Sequence, residues 1–399
     1  MEPVRPGNDC DLSIGGRPRV RVLHLGKFDT LGGIERHVKT LARGLIATGE
    51  AEIINLVSAD SPKGYEHTDY GYPTIAVPCH GIVASVAISP SLPLVARRLH
   101  REHRFDIVHL HFPDPLGHLT ALTLPRSVRR VISWHSDIIR QRKALALYGP
   151  FLRHFVQDVD GLIGATPQHL TVSAQMPPAR PGQVRRVVPY GFDPGQMTWS
   201  ERARAKKAEL QAWAAGRPVV FVVGRHVYYK GLDVLLRAMA GIDALLIIGG
   251  TGPLTADLKG QAEASGLRDR VLFAGYIPDD DLIAYYDVCD VFTMPSTDRS
   301  EAFGLVQLEA MHFGKPVVST RLGTGVEFVN VDGETGLLVP PGDVVALRSA
   351  IQHLLADPGL RRRLGDAGRA RVASTFSVTQ MVQGTLDAYR AVLHPNAER

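Results

Sequence analysis

Residues 218–231 read PVVFVVGRHVYYKG. The first six are apolar without a break, and a run of that length bounded by turn residues describes a strand buried on both faces. The loop that follows is bounded by Gly224 and Gly231 and carries two cations, Arg225 and Lys230. This strand and loop open a series. Further β-rich runs stand at 244–248, 271–274, 291–294 and 317–319, and a Gly-Glu-Thr-Gly turn at 333–336 leads into a short strand at 337–339. Helical stretches separate most of them, and helices at 344–355, 360–374 and 378–393 close the chain. Strands alternating with helices predict a parallel sheet covered on both faces.

Upstream the same alternation is already present. Runs at 19–25, 52–57, 74–77, 107–111, 131–134, 161–165 and 184–188 read as strands, and 93–103 and 140–156 as helices. After the first strand, Ile34, Val38, Leu41 and Leu45 space out one apolar helix face. A polar, helix-forming segment at 201–215 separates the two series, so the boundary falls near 192–200. The expected fold is α/β, with two doubly wound Rossmann-like domains facing each other across a cleft. Their expected spans are 19–195 and 196–374. Residues 1–18, rich in Gly, Pro and charge, are read as a flexible leader, and 375–399 as a helix crossing back to the first domain. Ligands in such sheets bind beyond the carboxyl ends of the strands, so function is expected in the strand-to-helix loops.

A chain of 399 residues exceeds what one core usually serves, which agrees with two domains. No apolar run reaches the length of a membrane span. Three cysteines, Cys10, Cys79 and Cys289, are odd in number and lack metal spacing, which points to a reducing compartment and a cytoplasmic location. The net charge of +5 is modest, and nucleic acid is not expected as a partner. The charge is unevenly placed. RRLHREHR at 97–104 and RSVRR at 126–130 are candidates for peripheral contact with the cytoplasmic face of a membrane, for a phosphate-bearing acceptor, or for plain solvated helix faces.

The loops carry the chemistry. SEAFGLVQLEAMHFGKP at 300–316 follows the 291–294 strand, with Glu301 in the loop and Glu309 inside the next helix. Helical rise over that separation would set the two carboxylates roughly 12 Å apart. The amides of Phe303, Gly304 and Leu305 fall at the helix start, where unpaired N–H groups attract anions. A carboxylate on each side of an anion site outlines a nucleotide-sugar pocket; the plain alternative is a dipole-favoured acid and a solvated one. Arg225 can fork onto two phosphate oxygens and Lys230 adds a point charge, a pair suited to a departing diphosphate. Gly32-Gly33-Ile34-Glu35 opens the first helix and lets backbone approach a phosphate, yet neither it nor Gly249-Gly250-Thr251-Gly252 completes a dinucleotide fingerprint, which disfavours an NAD enzyme. His135 follows a first-domain strand and is expected to project into the cleft. His109 and His111 share one strand face, but no third ligand stands at usable spacing. Asp158-Val159-Asp160 precedes a strand, the wrong edge of the sheet, and the acids at 279–281 read as a helix cap, so no metal site is expected.

Taken together, Gly32-Gly33-Ile34-Glu35, His135, Gly224 through Lys230-Gly231, and Glu301-Ala302-Phe303-Gly304 through Glu309 resemble the motifs of retaining GT-B glycosyltransferases of family 4, in order and spacing, over roughly 19–393. The resemblance implies that Glu309 holds the ribose and that Glu301 contacts the transferred sugar with the Phe303, Gly304 and Leu305 amides. It implies that Arg225 and Lys230 bind the diphosphate opposite the Gly33 amide, that His135 touches the sugar, and that backbone near Tyr276 flanks the base. Tyr190 departs from the asparagine many members carry in that loop. WHSDIIRQ at 134–141 is similar to bacterial mannosyl- and rhamnosyltransferases of surface polysaccharides, making GDP-mannose the first expected donor and a UDP-sugar the next. The implied acceptor is a polysaccharide or lipid-linked oligosaccharide, with no cofactor beyond the donor. A sugar-nucleotide epimerase of the same architecture and a non-catalytic nucleotide-sugar-binding protein are the alternatives.

Overall fold

The computed structural model describes residues 19–29, 32–84, 86–139 and 142–395. The expected leader at 1–18, with Cys10, lies outside the described residues. The first half holds ten strands among these residues: β1 (Val20–Phe28), β2 (Ala51–Ser58), β3 (Tyr65–His67), β4 (Thr74–Val77), β5 (Ile82–Val83), β6 (Val86–Ala87), β7 (Ile107–Phe112), β8 (Arg129–Trp134), β9 (Gly161–Gly164) and β10 (Val184–Val187). Its helices are α1 (Gly33–Ala47), α2 (Leu92–His103), α3 (Pro115–Leu122), α4 (Arg142–Asp158) and α5 (Pro167–Thr171). Eight strands form one sheet in the order β10-β9-β8-β7-β1-β2-β4-β3, parallel except for β3. Strands β5 and β6 make a separate antiparallel hairpin. These three short strands carry too few residues for a periodic signal, and the sequence pattern does not show them.

Past α6 (Glu201–Ala214) the second half repeats the plan with β11 (Val219–Val223), α7 (Leu232–Met239), β12 (Leu245–Gly249), α8 (Thr255–Ala264), β13 (Val271–Gly275), α9 (Asp279–Val288), β14 (Val291–Met294) and α10 (Leu305–His312). Then come β15 (Val317–Thr320), α11 (Val326–Val329), β16 (Gly336–Val339), α12 (Val344–Ala356), α13 (Pro358–Thr375) and α14 (Val378–Leu393). The order β13-β12-β11-β14-β15-β16 is parallel throughout. Val220, Phe221, Leu246, Ile247 and Phe292 are fully buried, as unbroken apolar strands covered on both faces require.

Helix α14 packs on α1, β9 and β10, and its Met381, Leu386 and Tyr389 join Val22, Leu41 and Val131 in one core. The strand order reverses between β1 and β7 in the first sheet and between β11 and β14 in the second. These are the switch points, and the loops after β1, β11 and β14 are those that carry the motifs.

Candidate active site

The β11 loop and the β14 loop are locked together by glycine. Gly231 has φ +64, and a Cβ there would stand 2.0 Å from the Pro295 carbonyl oxygen, so only glycine permits the approach. The Thr297 amide donates to the Tyr229 carbonyl at 2.7 Å. This contact carries Lys230 to the residue that needs a cation: its Nζ lies 2.6 Å from Oε2 of Glu301, which also accepts from the Ser296 hydroxyl at 3.0 Å. Burial works against the Lys230 ammonium, but the Glu301 carboxylate beside it holds its pKa above the ordinary lysine value. Arg225 is exposed and lines a cleft of about 520 Å³ between Ser136 and Asp137 on one side and Tyr228, Tyr229 and Ser300, the neighbours of Lys230 and Glu301, on the other.

Gly304, φ +78, caps α10 with no side-chain acceptor, so the amides after it keep their donors. Phe303 is buried, and helical rise begins only at Leu305, so the 12 Å estimate covers a span that is half loop. Across the cleft, a Cβ on Gly33 would lie 3.7 Å from Leu305 Cδ1. The N-termini of α1 and α10 therefore face each other. Tyr276, following Gly275 with φ +67, is 71% exposed at the rim.

Glu309 is buried, and both of its oxygens are engaged: Oε2 by the Tyr286 hydroxyl at 2.6 Å and Oε1 by Arg36 of α1 at 3.3 Å. Burial raises its pKa, opposed by the Tyr286 hydrogen bond and the Arg36 charge. Arg36 also reaches Asp279 at 3.0 Å. Arg36, Tyr286 and Ser296 were not singled out from the sequence. Arg36 stands one residue past the glycine motif, a position the pattern leaves unmarked, and the other two meet their glutamates only through the sheet.

Several expectations need correction. His135 does not project into the open cleft. It is 3% exposed, with Nε2 on His111 Nδ1 at 3.0 Å and Nδ1 on the Tyr190 hydroxyl. Tyr190, the departure from the usual loop, fills that space and packs against Phe303, the two rings tilted with their centroids 4.5 Å apart. The missing third histidine is supplied by neighbouring elements. Parallel register sets His24 of β1 beside His109, so His24, His109 and His111 form one close triad and His37, His111 and His135 another. Each triad includes a histidine whose two nitrogens are already hydrogen-bonded: His109 to Tyr389 and Ser133, and His135 as above. Burial drives all five imidazoles toward the neutral form, His24 and His37 down to about 3. The acids at 279–281 do not cap α9. Pro278 is the N-cap, Asp279 binds Arg36, and Asp281 binds Arg202 at 2.9 Å. Asp158 is paired by Arg126 and Arg130 and Asp160 by Arg129, so the 126–130 arginines share one ion-pair network.

Comparison with known proteins agrees with this layout. Residues 204–371 match the family described as Glycosyl transferases group 1, and residues 31–196 match Glycosyltransferase Family 4. The D-rhamnosyltransferase WbpZ of Pseudomonas aeruginosa is 34% identical over 90% of this chain and 92% of its own. The O-antigen chain mannosyltransferase C of Escherichia coli is 30% identical over 94% of this chain and 99% of its own. A sucrose-phosphate synthase from Thermosynechococcus elongatus superposes with a TM-score of 0.78 at 25% identity, covering 95% of this chain and 100% of that one. With its two facing sheets, its glycine-locked cation loop and its paired glutamates, the chain belongs to the family 4, group 1 glycosyltransferases of GT-B fold.

Proposed function

We propose that this glycosyltransferase moves a hexose, with retention, from a nucleotide diphosphate sugar to a polysaccharide or lipid-linked oligosaccharide. The observation that carries the reading is the Lys230 and Glu301 pair at 2.6 Å, Lys230 standing in the loop that also carries the exposed Arg225, with Gly33 facing Leu305 at the start of α10. Arg225 and Lys230 receive the diphosphate, with the Gly33 amide on its other side. Glu301 and the Phe303, Gly304 and Leu305 amides position the sugar, Glu309 anchors the ribose, and backbone at Tyr276 flanks the base. In the reaction the bond from the anomeric carbon to the phosphate oxygen breaks. The bond to the acceptor oxygen forms on the same face, and the acceptor's proton passes to the leaving phosphate. The protein's part is electrostatic: two cations stabilise charge that grows on the diphosphate. Its burial leaves His135 as a positioning residue, holding Tyr190 against Phe303. No metal enters the scheme.

The mannosyl- and rhamnosyltransferase relatives support GDP-mannose as the first donor to test, with UDP-sugars next. A lipid-linked acceptor brings the enzyme to the membrane as a peripheral protein, since no helix among the described residues is long and apolar enough to cross one. Thermal-shift screening with GDP, UDP and their sugars, followed by NMR of the products, tests the proposal. A donor that raises stability and yields an α-linked product from an α-linked donor supports it. Release of an epimer without acceptor would point to an epimerase, and a silent tight complex to a binding protein. If no donor binds, and Glu301→Ala changes nothing, the proposal fails.

A further inference from the structure

Helices α1 and α10 begin opposite each other, and their facing sides run in step. Gly33 stands against Leu305 at the two N-termini. Arg36 and Glu309 follow one turn further along, three and four residues on, which places them on the same two faces. They meet there: Nη1 of Arg36 donates to Oε1 of Glu309 at 3.3 Å. Asp279, at the start of α9, fixes the guanidinium from its other side, its two carboxylate oxygens accepting from Nη2 at 3.0 and 3.2 Å. Arg36 belongs to the first domain, Asp279 and Glu309 to the second, so the contact spans the cleft.

A carboxylate as buried as that of Glu309 tends to take up a proton, because a charge is costly away from water. Burial pushes its pKa up, and the Asp279 anion adds to the effect; the Tyr286 hydroxyl and the Arg36 cation oppose it. Tyr286 stands in the same domain as Glu309, whereas Arg36 comes from the facing one. Each carboxylate oxygen accepts at two lone-pair positions. Tyr286 takes one on Oε2 and Arg36 one on Oε1, which leaves one free on each oxygen. Two adjacent acceptors match a vicinal diol, whose neighbouring hydroxyl groups both donate. A protonated Glu309 would turn one of these acceptors into a donor. Arg36, Asp279, Leu305 and Glu309 also border one hollow of about 60 Å³, the space of about two waters and so of two hydroxyl groups.

We propose that Arg36 is a positioning residue for the donor: reaching across the cleft, it holds Glu309 as a double acceptor for the ribose hydroxyls, so that the ribose site is complete only with α1 of the first domain in place. The inference rests on the reading of Glu309 as the ribose anchor. A plain clasp between the domains would make the same ion pairs without bearing on the ribose, and the two roles differ in what they do to a nucleotide that lacks the diol.

Calorimetric titration of the full-length protein with GDP and with its dideoxy analogue, which lacks both ribose hydroxyls, separates them, and the UDP pair is run alongside. Wild type is expected to bind the ribonucleotide about 10- to 100-fold more tightly than the analogue, the range for hydrogen bonds to a charged group. Arg36→Met should cut that ratio to about threefold or less and leave the affinity for the analogue within about twofold of wild type, because only the diol-dependent part passes through Arg36. The retained affinity also shows that the variant folds. Arg36→Lys keeps the charge but cannot fork onto both carboxylates, so its ratio should fall between those of wild type and Arg36→Met. If the methionine variant does not fold, the lysine variant carries the test alone. A ratio that stays at the wild-type value, with both nucleotides unaffected or weakened by one common factor, would make Arg36 a clasp and overturn the proposal. A wild type that binds ribonucleotide and analogue equally would remove Glu309 from the ribose and this inference with it, and binding of neither GDP nor UDP would sink the glycosyl-transfer reading as well.

Discussion

Lys230 and Glu301 are placed in the chemistry, yet they are also a nearly buried ion pair, and the two roles separate in a double-mutant cycle. At 2.6 Å, two unit charges attract by about 6 kcal/mol at an effective dielectric of about 20. The side chains are only 17% and 10% exposed, so desolvation offsets much of that attraction and the intact pair contributes little net stability. Removing one partner keeps the cost and deletes the attraction. Lys230→Met, or Glu301→Gln alone, should therefore cost about 3–5 kcal/mol, at the low end because the Ser296 hydroxyl still serves position 301. The double variant should cost about 1–2 kcal/mol, leaving a coupling energy of about 4 kcal/mol or more. Urea unfolding midpoints measure the stability, and donor turnover is followed in parallel. Stability should recover in the double variant while turnover stays lost, since the groups proposed to hold the diphosphate and the sugar are both gone. Single variants that cost less than about 1 kcal/mol, or strictly additive costs, would refute the buried-pair reasoning.

Three further outcomes are expected. Glu309→Ala should weaken nucleotide binding by about 10- to 100-fold by calorimetry, the range for losing a hydrogen bond to a charged group; an unchanged affinity would remove Glu309 from the ribose. The five histidines of the two triads have folded pKa values depressed below the ordinary 6.5, so their stabilisation is present above that pH and is lost as pH falls toward 3. Each proton taken up only on unfolding steepens the loss by about 1.4 kcal/mol per pH unit, so the unfolding midpoint should drop sharply between about pH 6.5 and 5, and a flat profile would contradict the cluster. Asp114 shows the opposite case. Burial raises its pKa from 3.8 to about 6, so its favourable contribution holds below 3.8 and is lost as pH rises through about 6. Asp114→Asn, which removes the buried charge at nearly the same volume, should gain about 2–3 kcal/mol near neutral pH and nothing near pH 3.5; equal effects at both would refute it.

How legible the site was depended on the range of the interaction. Strands such as 291–294 and the helix 378–393 carry their signal in consecutive residues, and they stand where the pattern places them. The loops proposed to bind the donor are legible for the same reason, since a strand followed by glycine and cations is a local statement. His135 was misjudged because its direction depends on Tyr190, a residue 55 positions later that closes the space behind it. The histidine triads escaped because strand register, not spacing along one strand, sets His24 beside His109. The acids at 279–281 were misread because an acid before a helix usually caps it, while here Pro278 holds that position and the carboxylates turn to Arg36 and Arg202.

From sequence alone came two alternating α/β halves and the strand-end loops that carry the cations and the helix-start amides. Those features follow from burial periodicity and short-range backbone geometry, which neighbouring residues encode. The tertiary structure decided which charge meets which: Lys230 on Glu301, Arg36 on Glu309, and the 126–130 arginines on Asp158 and Asp160 while those of α2 remain turned outward. A charge pair acts through space over a few ångströms, and its members here lie up to 273 residues apart along the chain. Only the register of the sheets and the facing of the two domains set those distances.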